Sequence, residues 1–94
     1  MERIIVSKPA LCTAGYIMSN LQTHSCSIDD NEIAHRLGYQ PDTIYKAIRE
    51  LTNVGAITHM GRRDLITGQR NITVNLKHWV WFAVLSNNPV SVGV

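Results

Sequence analysis

Gln40, Thr43, Tyr45, Lys46 and Arg49 place an amide, two hydroxyls and two cations within ten residues. Such groups suit the edges of nucleic-acid bases. Glutamine can pair both edge atoms of adenine, lysine can donate to guanine O6 and N7, and threonine can touch a thymine methyl. Arg49, one turn further along, suits a phosphate. Asp42 is the discordant member, because an acid beside phosphates costs energy, although in a first helical turn it favours the helix dipole. Its other option is to accept from cytosine N4. Further on, Arg62, Arg63 and Arg70 flank one loop that contains a single acid, Asp64. The plain alternative for both groups is solvated surface, which carries the same residue types.

No constellation suited to catalysis accompanies them. The four histidines, His24, His35, His59 and His78, are scattered, with no HxxxH or HExxH spacing and no cysteine-rich set for zinc. No phosphate-binding glycine loop and no GxSxG elbow is present. The chain is therefore expected not to be an enzyme, and to need no cofactor, metal or small-molecule effector. Cys12 and Cys26 lack CxxC spacing and are expected to be ordinary thiols.

The polar set must be held by the stretch from Asp29 to Ile57, which reads as two short helices joined by a tight turn. Asp29 can cap the first, with Glu32 reaching back in a capping box. Ile33, Ala34 and Leu37 form its apolar face, and Gly38 ends it where a left-handed residue is needed. Pro41 opens the second helix. Ile44, Ala47, Ile48 and Leu51 recur at helical spacing and face inward, leaving Gln40, Thr43, Tyr45, Lys46 and Arg49 outside. Gly55 ends this helix. Two helices in this order make a helix-turn-helix, whose second member enters the DNA major groove. An ordinary helical hairpin has the same caps and core spacing but does not account for that outer face.

Upstream, Leu11, Ala14, Met18 and Leu21 predict a supporting helix from Pro9 to about Thr23, and Ile28 is expected in the core at the end of a short connection or strand. Glu2–Ser7 reads as an arm or edge strand. Downstream the period changes to alternation. Ile72, Val74 and Leu76 predict one face of a strand, and Ala56–Met60 its partner, joined by a long arginine-rich tip. Glu32-Ile33-Ala34 with Leu37-Gly38, then Thr43-Ile44 with Ala47-Ile48-Arg49-Glu50-Leu51, then Gly55-Ala56-Ile57, resemble the winged helix-turn-helix superfamily. The closest likeness is to small domains of phage and plasmid replication proteins and bacterial transcription regulators. The resemblance covers about residues 8–77 and implies an α+β fold, with a three-helix core and a C-terminal β-hairpin wing. It implies double-stranded DNA as partner, a recognition helix at about 41–54 and a wing at about 61–70. It also implies contacts from Gln40, Thr43, Tyr45, Lys46, Arg49, Arg62, Arg63 and Arg70, the wing lying along the backbone or dipping into the minor groove.

Composition sets the bounds. Ninety-four residues suffice for one domain. With 9 Lys+Arg against 7 Asp+Glu the net charge of +2 does not by itself indicate nucleic acid, but its distribution is uneven. Lys46, Arg49, Arg62, Arg63, Arg70 and Lys77 meet only Glu50 and Asp64 between residues 46 and 77. Without an 18-residue apolar run or a leader pattern, no membrane association and a cytoplasmic place in a bacterial host are expected. The segment His78–Leu85, HWVWFAVL, is apolar or aromatic at seven of eight positions. It either closes the core as a strand or short helix, or forms a self-association surface. On the second reading Trp79, Trp81 and Phe82 join a homodimer. Ser86–Val94 is expected to be a mobile terminus. A winged-helix scaffold that binds an acidic protein is the other functional class left open.

Overall fold

A computed structural model describes residues 6–87. The elements run α1 Lys8–Asn20, β1 Ser25–Asp29, α2 Asp30–Leu37, α3 Pro41–Asn53, β2 Ile57–Met60, β3 Gln69–Val74 and α4 Trp79–Asn87. The fold is α+β, with four helices and a three-stranded antiparallel sheet in the order β1-β3-β2 among the described residues. The expected helical core thus gains a fourth member, because the apolar tail forms α4. Residues 1–5 of the N-terminal arm and 88–94 of the expected mobile terminus lie outside the described residues, as does the side chain of Leu85.

Local chemistry accounts for the helix ends. Ser7 caps α1 by accepting from the Ala10 amide at 3.3 Å, and its own hydroxyl donates to the Glu50 carboxylate on α3 at 2.7 Å. Asp29 caps α2 through the Asn31 amide at 2.9 Å. The expected return bond from Glu32 is replaced by an i,i+4 pair with Arg36 at 3.2 Å. Gly38 ends α2 at φ 79°, leaving three residues, Gly38-Tyr39-Gln40, to redirect the chain into α3. Ala10, Ala14 and Ile17 of α1, Ile33 and Ala34 of α2, and Ile44, Ala47, Ile48 and Leu51 of α3 meet Ile28, Ile57, Ile72 and Val74 of the sheet in one buried cluster. No helix among the described residues is long and apolar enough to cross a membrane.

The hairpin is irregular where it matters. β2 has a register break between Ile57 and His59, so Thr58 is the extra residue of a bulge. At its far end the Gly61 amide donates to the Asn71 carbonyl at 2.8 Å, and a Cβ on Gly61 would sit 2.8 Å from that same oxygen. Gly61→Ala is therefore expected to push the strands apart there and cost about 1–3 kcal/mol. Urea unfolding measures the loss. A variant as stable as wild type would show that the two strands separate freely at this point.

α4 packs where the sequence allowed two outcomes. Val80, Trp81 and Val84 are buried, and the Trp81 indole Nε1 donates to the Ala56 carbonyl at 3.1 Å. Trp81, 1% exposed, belongs to the core of its own chain, which corrects its assignment to a dimer interface. Aromatic character alone could not separate the two roles. His78 caps this helix, since its Nδ1 accepts from the Val80 amide at 3.2 Å. That leaves Nε2 to donate to the Val54 carbonyl, 2.8 Å away at the end of α3. His78→Ala is expected to cost about 1–2 kcal/mol in denaturant unfolding, the usual worth of a lost cap. A change below about 0.3 kcal/mol would mean α4 docks without its cap.

Candidate nucleic-acid interface

α3 sorts its residues cleanly. Ile44, Ala47, Ile48 and Leu51 are buried, Thr43 is half-buried, and Gln40, Tyr45, Lys46 and Arg49 are exposed. Lys46 pairs with Asp42 one turn back at 3.2 Å, both side chains mostly in solvent. Such an exposed pair is weak, so Asp42 restrains the lysine without sequestering it. Arg49 makes no ion pair among the described residues, and its guanidinium carbon lies 6.0 Å from the Tyr45 ring centre.

The hairpin contributes Arg62 and Arg63, both exposed. Arg63 Nε donates to the Gly68 carbonyl at 3.3 Å, which ties it to the base of the tip, whereas Arg62 has no ion-pair partner among the described residues. Between them and Gln69 the chain turns tightly. The Asp64 carboxylate accepts from the Ile66 amide at 2.7 Å and the Thr67 amide at 3.1 Å, and the Gly68 amide donates to the Asp64 carbonyl at 2.7 Å. Hydrogen bonds from the Thr67 and Ile66 amides lower the Asp64 pKa below its ordinary value. Since the folded value is the depressed one, this support is complete above the normal carboxylate range, about pH 4, and fades as pH falls through the folded value.

Arg70 is not part of the exposed set. It is 8% exposed, and its Nε and Nη2 form a two-pronged pair with the Asp30 carboxylate at 3.1 and 2.8 Å. Its Nη1 donates to the Gly61 carbonyl at 3.1 Å, and its guanidinium carbon stands 5.4 Å from the Tyr45 ring centre. Its assignment to direct DNA contact is corrected accordingly, because the guanidinium is buried and its charge is already paired with Asp30. The reason is periodicity. β3 turns Arg70, Ile72 and Val74 inward and Gln69 and Asn71 outward. The alternation read in the sequence as Ile72, Val74, Leu76 runs one step earlier, and Leu76 falls beyond the strand with 42% exposure.

Arg70 thereby joins four places: the first turn of α2, the inner face of β3, the end of β2 and the ring of Tyr45. The outer face of α3 and the base of the hairpin are brought side by side through it. Asp30, which makes the junction possible, was not singled out in the sequence, where it looks like one more acid near a helix start. Elsewhere, a shallow cleft lined by Asn20, Gln22, Ser25, Ser27, Asn71 and Thr73 contains neutral amides and hydroxyls only, apart from Cys26. Both cysteines are free thiols, and burial pushes that of Cys26 up. Among the described residues no cluster of His, Cys, Asp and Glu could hold a metal ion. Comparison with protein-family models and with curated proteins gives no match.

Proposed function

We propose that this chain is a winged helix-turn-helix protein that binds double-stranded DNA, with α3 in the major groove and the β2–β3 hairpin as the wing, and that it regulates transcription or replication. The observation that carries this reading is the junction at Arg70. It ties the base of the hairpin that carries Arg62 and Arg63 to Tyr45 of α3, the helix that carries Thr43, Lys46 and Arg49 and begins just after Gln40. Glutamine, threonine and lysine on such a helix meet base edges, and the arginines meet phosphates. Tyr45 faces two ways, half to solvent and half onto Arg70, so part of its role is to hold the helix against the hairpin.

Lys46, Arg49, Arg62 and Arg63 supply four exposed cations. Fluorescence polarisation on a duplex of random sequence is then expected to give a slope of log K against log salt of about −3 to −4 per chain. A flat salt response, or no binding at low salt, would sink the DNA reading and leave an acidic protein as the partner to test. Within that reading Lys46→Ala changes the preference among sequences and costs about 1–3 kcal/mol at the best site. Arg62→Ala weakens all sequences alike and lowers the slope by about one. The opposite pattern would exchange the roles of helix and hairpin.

One reading helix spans few base pairs, so specific binding commonly takes two copies. The homodimer proposed on that ground uses Trp79 and Phe82, which remain exposed on α4, together with Leu76. Equilibrium ultracentrifugation at micromolar concentration tests it. A mass that stays near 10.5 kDa excludes the dimer.

A further inference from the structure

Leu65 and Ile66 at the hairpin tip are 95% and 94% exposed, against 58% for Phe82, the next most exposed large apolar residue described. Two adjacent branched side chains held almost wholly in water oppose the ordinary tendency to bury such groups. Their exposure is built into the turn. The Asp64 carboxylate and carbonyl tie down the amides of Ile66, Thr67 and Gly68, and the Asp64 amide donates to the Gln69 carbonyl at 2.7 Å. Gly68, at φ 78°, lets the chain return without folding the tip back on the sheet. A tip fixed by this many bonds cannot collapse to hide its apolar pair.

We infer that Leu65 and Ile66 form an apolar wedge that enters the DNA minor groove, opens a base step and bends the duplex. This rests on the DNA-binding reading and adds to it a deformation of the bound duplex. Three features on the hairpin favour a duplex as the occupant. Arg62 and Arg63 precede the tip and supply positive charge where phosphates rim the groove. The hairpin base is fixed against Tyr45 of α3 through Arg70, so a helix seated in one groove carries the tip to the neighbouring stretch of backbone. A minor groove about 6 Å wide excludes a two-stranded ribbon but admits side chains projecting from its end. Inserted apolar side chains unstack steps and kink DNA toward the major groove, and pyrimidine–purine steps yield most readily. Two residues offer too little apolar area to anchor the chain on a lipid surface.

The test uses the whole 94-residue chain and two end-labelled duplexes of equal length. One contains several TA steps; the other is a homopurine strand with its complement, which has no pyrimidine–purine step. Binding is read by polarisation, bending by energy transfer between the ends, and unstacking by 2-aminopurine placed at a TA step. Wild type is expected to bind both, to bend the first by about 20–90° with a rise in 2-aminopurine fluorescence, and to bend the second far less. Leu65→Ser with Ile66→Ser, made in solvent where folding does not depend on them, is expected to bind and leave both duplexes straight. Wild type bound to an unbent duplex overturns the wedge and leaves DNA binding intact. Bending that persists in the double variant overturns it too, by placing the cause elsewhere. No binding by wild type to either duplex removes DNA binding and the wedge together. If the double substitution instead converts a self-associated protein to monomer while DNA stays straight, the tip is a contact for a second copy and the wedge is wrong.

Discussion

Asp30→Ala is expected to remove about 3–5 kcal/mol of folding stability, more than any change on the exposed face of α3. The carboxylate and the Arg70 guanidinium are each 8% exposed, and the substitution leaves that cation buried with only the Gly61 carbonyl as acceptor. A chain of this length has about 5–14 kcal/mol of total stability, so the loss is a large share of what holds it folded. The loss reports the cost of stranding a charge, not the worth of the pair. Replacing both partners, Asp30→Leu with Arg70→Met, is expected to recover most of it, because two apolar side chains strand nothing. Urea unfolding followed by tryptophan fluorescence measures both variants. A loss below about 1 kcal/mol for Asp30→Ala would mean that water reaches Arg70 and that the junction is loose. In the double variant the hairpin and α3 lose their shared anchor, so the proposed DNA binding is expected to weaken although stability is largely restored.

Trp81→Ala is the second large effect, expected at about 3–5 kcal/mol. The indole is 1% exposed, lies among Val80, Val84 and the rest of the core, and spends its one donor on the Ala56 carbonyl. Removing it opens a cavity between α4 and the body of the protein. Part of the loss is spared because the Asn75 amide also reaches the Ala56 carbonyl, at 2.9 Å. Core and interface roles separate by concentration. A core residue costs the same stability at 1 and 100 μM protein, whereas an interface residue costs more as subunits are brought together. Phe82→Ala is the control. At 58% exposure it should change the stability of the isolated chain by no more than about 0.5 kcal/mol. A small, concentration-dependent effect at Trp81 would return it to an interface.

The α2–turn–α3 unit was legible because several local signals agreed. Asp29, Gly38, Pro41 and Gly55 each carry backbone demands that few other residues meet, and the apolar spacing between them has one helical solution. Ser25–Asp29 and the hairpin were legible at the level of existence. The bulge at Thr58 and the early end of β3 depend on pairing across the sheet, which no single segment records. The exposed cations of α3 and the hairpin could be picked from the sequence, but the fate of each could not. Arg62, Arg63 and Arg70 look alike there, and they part company only because strand parity turns Arg70 inward and Asp30 waits at the start of α2. Ile72 and Val74 carry that parity in the sequence, but nothing in the sequence marks Asp30 as the partner that makes a buried guanidinium possible. Trp79 and Trp81 posed the matching problem. Their helix leaves one partly in solvent and buries the other, a choice made by where α4 docks against Ala56 and Val54.

The bulge in β2 bears on how the folded protein coexists with its own copies. Among the described residues β3 is the middle strand, so β1 and β2 are the borders of the sheet, and unpaired amides and carbonyls on such borders invite a neighbour's backbone. β2 is four residues long and loses register at Thr58, so an incoming strand would find no unbroken run to zip along. On the other border Gln22 folds back to bridge Ser25, occupying the first position of β1. Each rim thus offers an incoming strand less than its full length, which works against open-ended polymerisation of a small, edge-bearing protein.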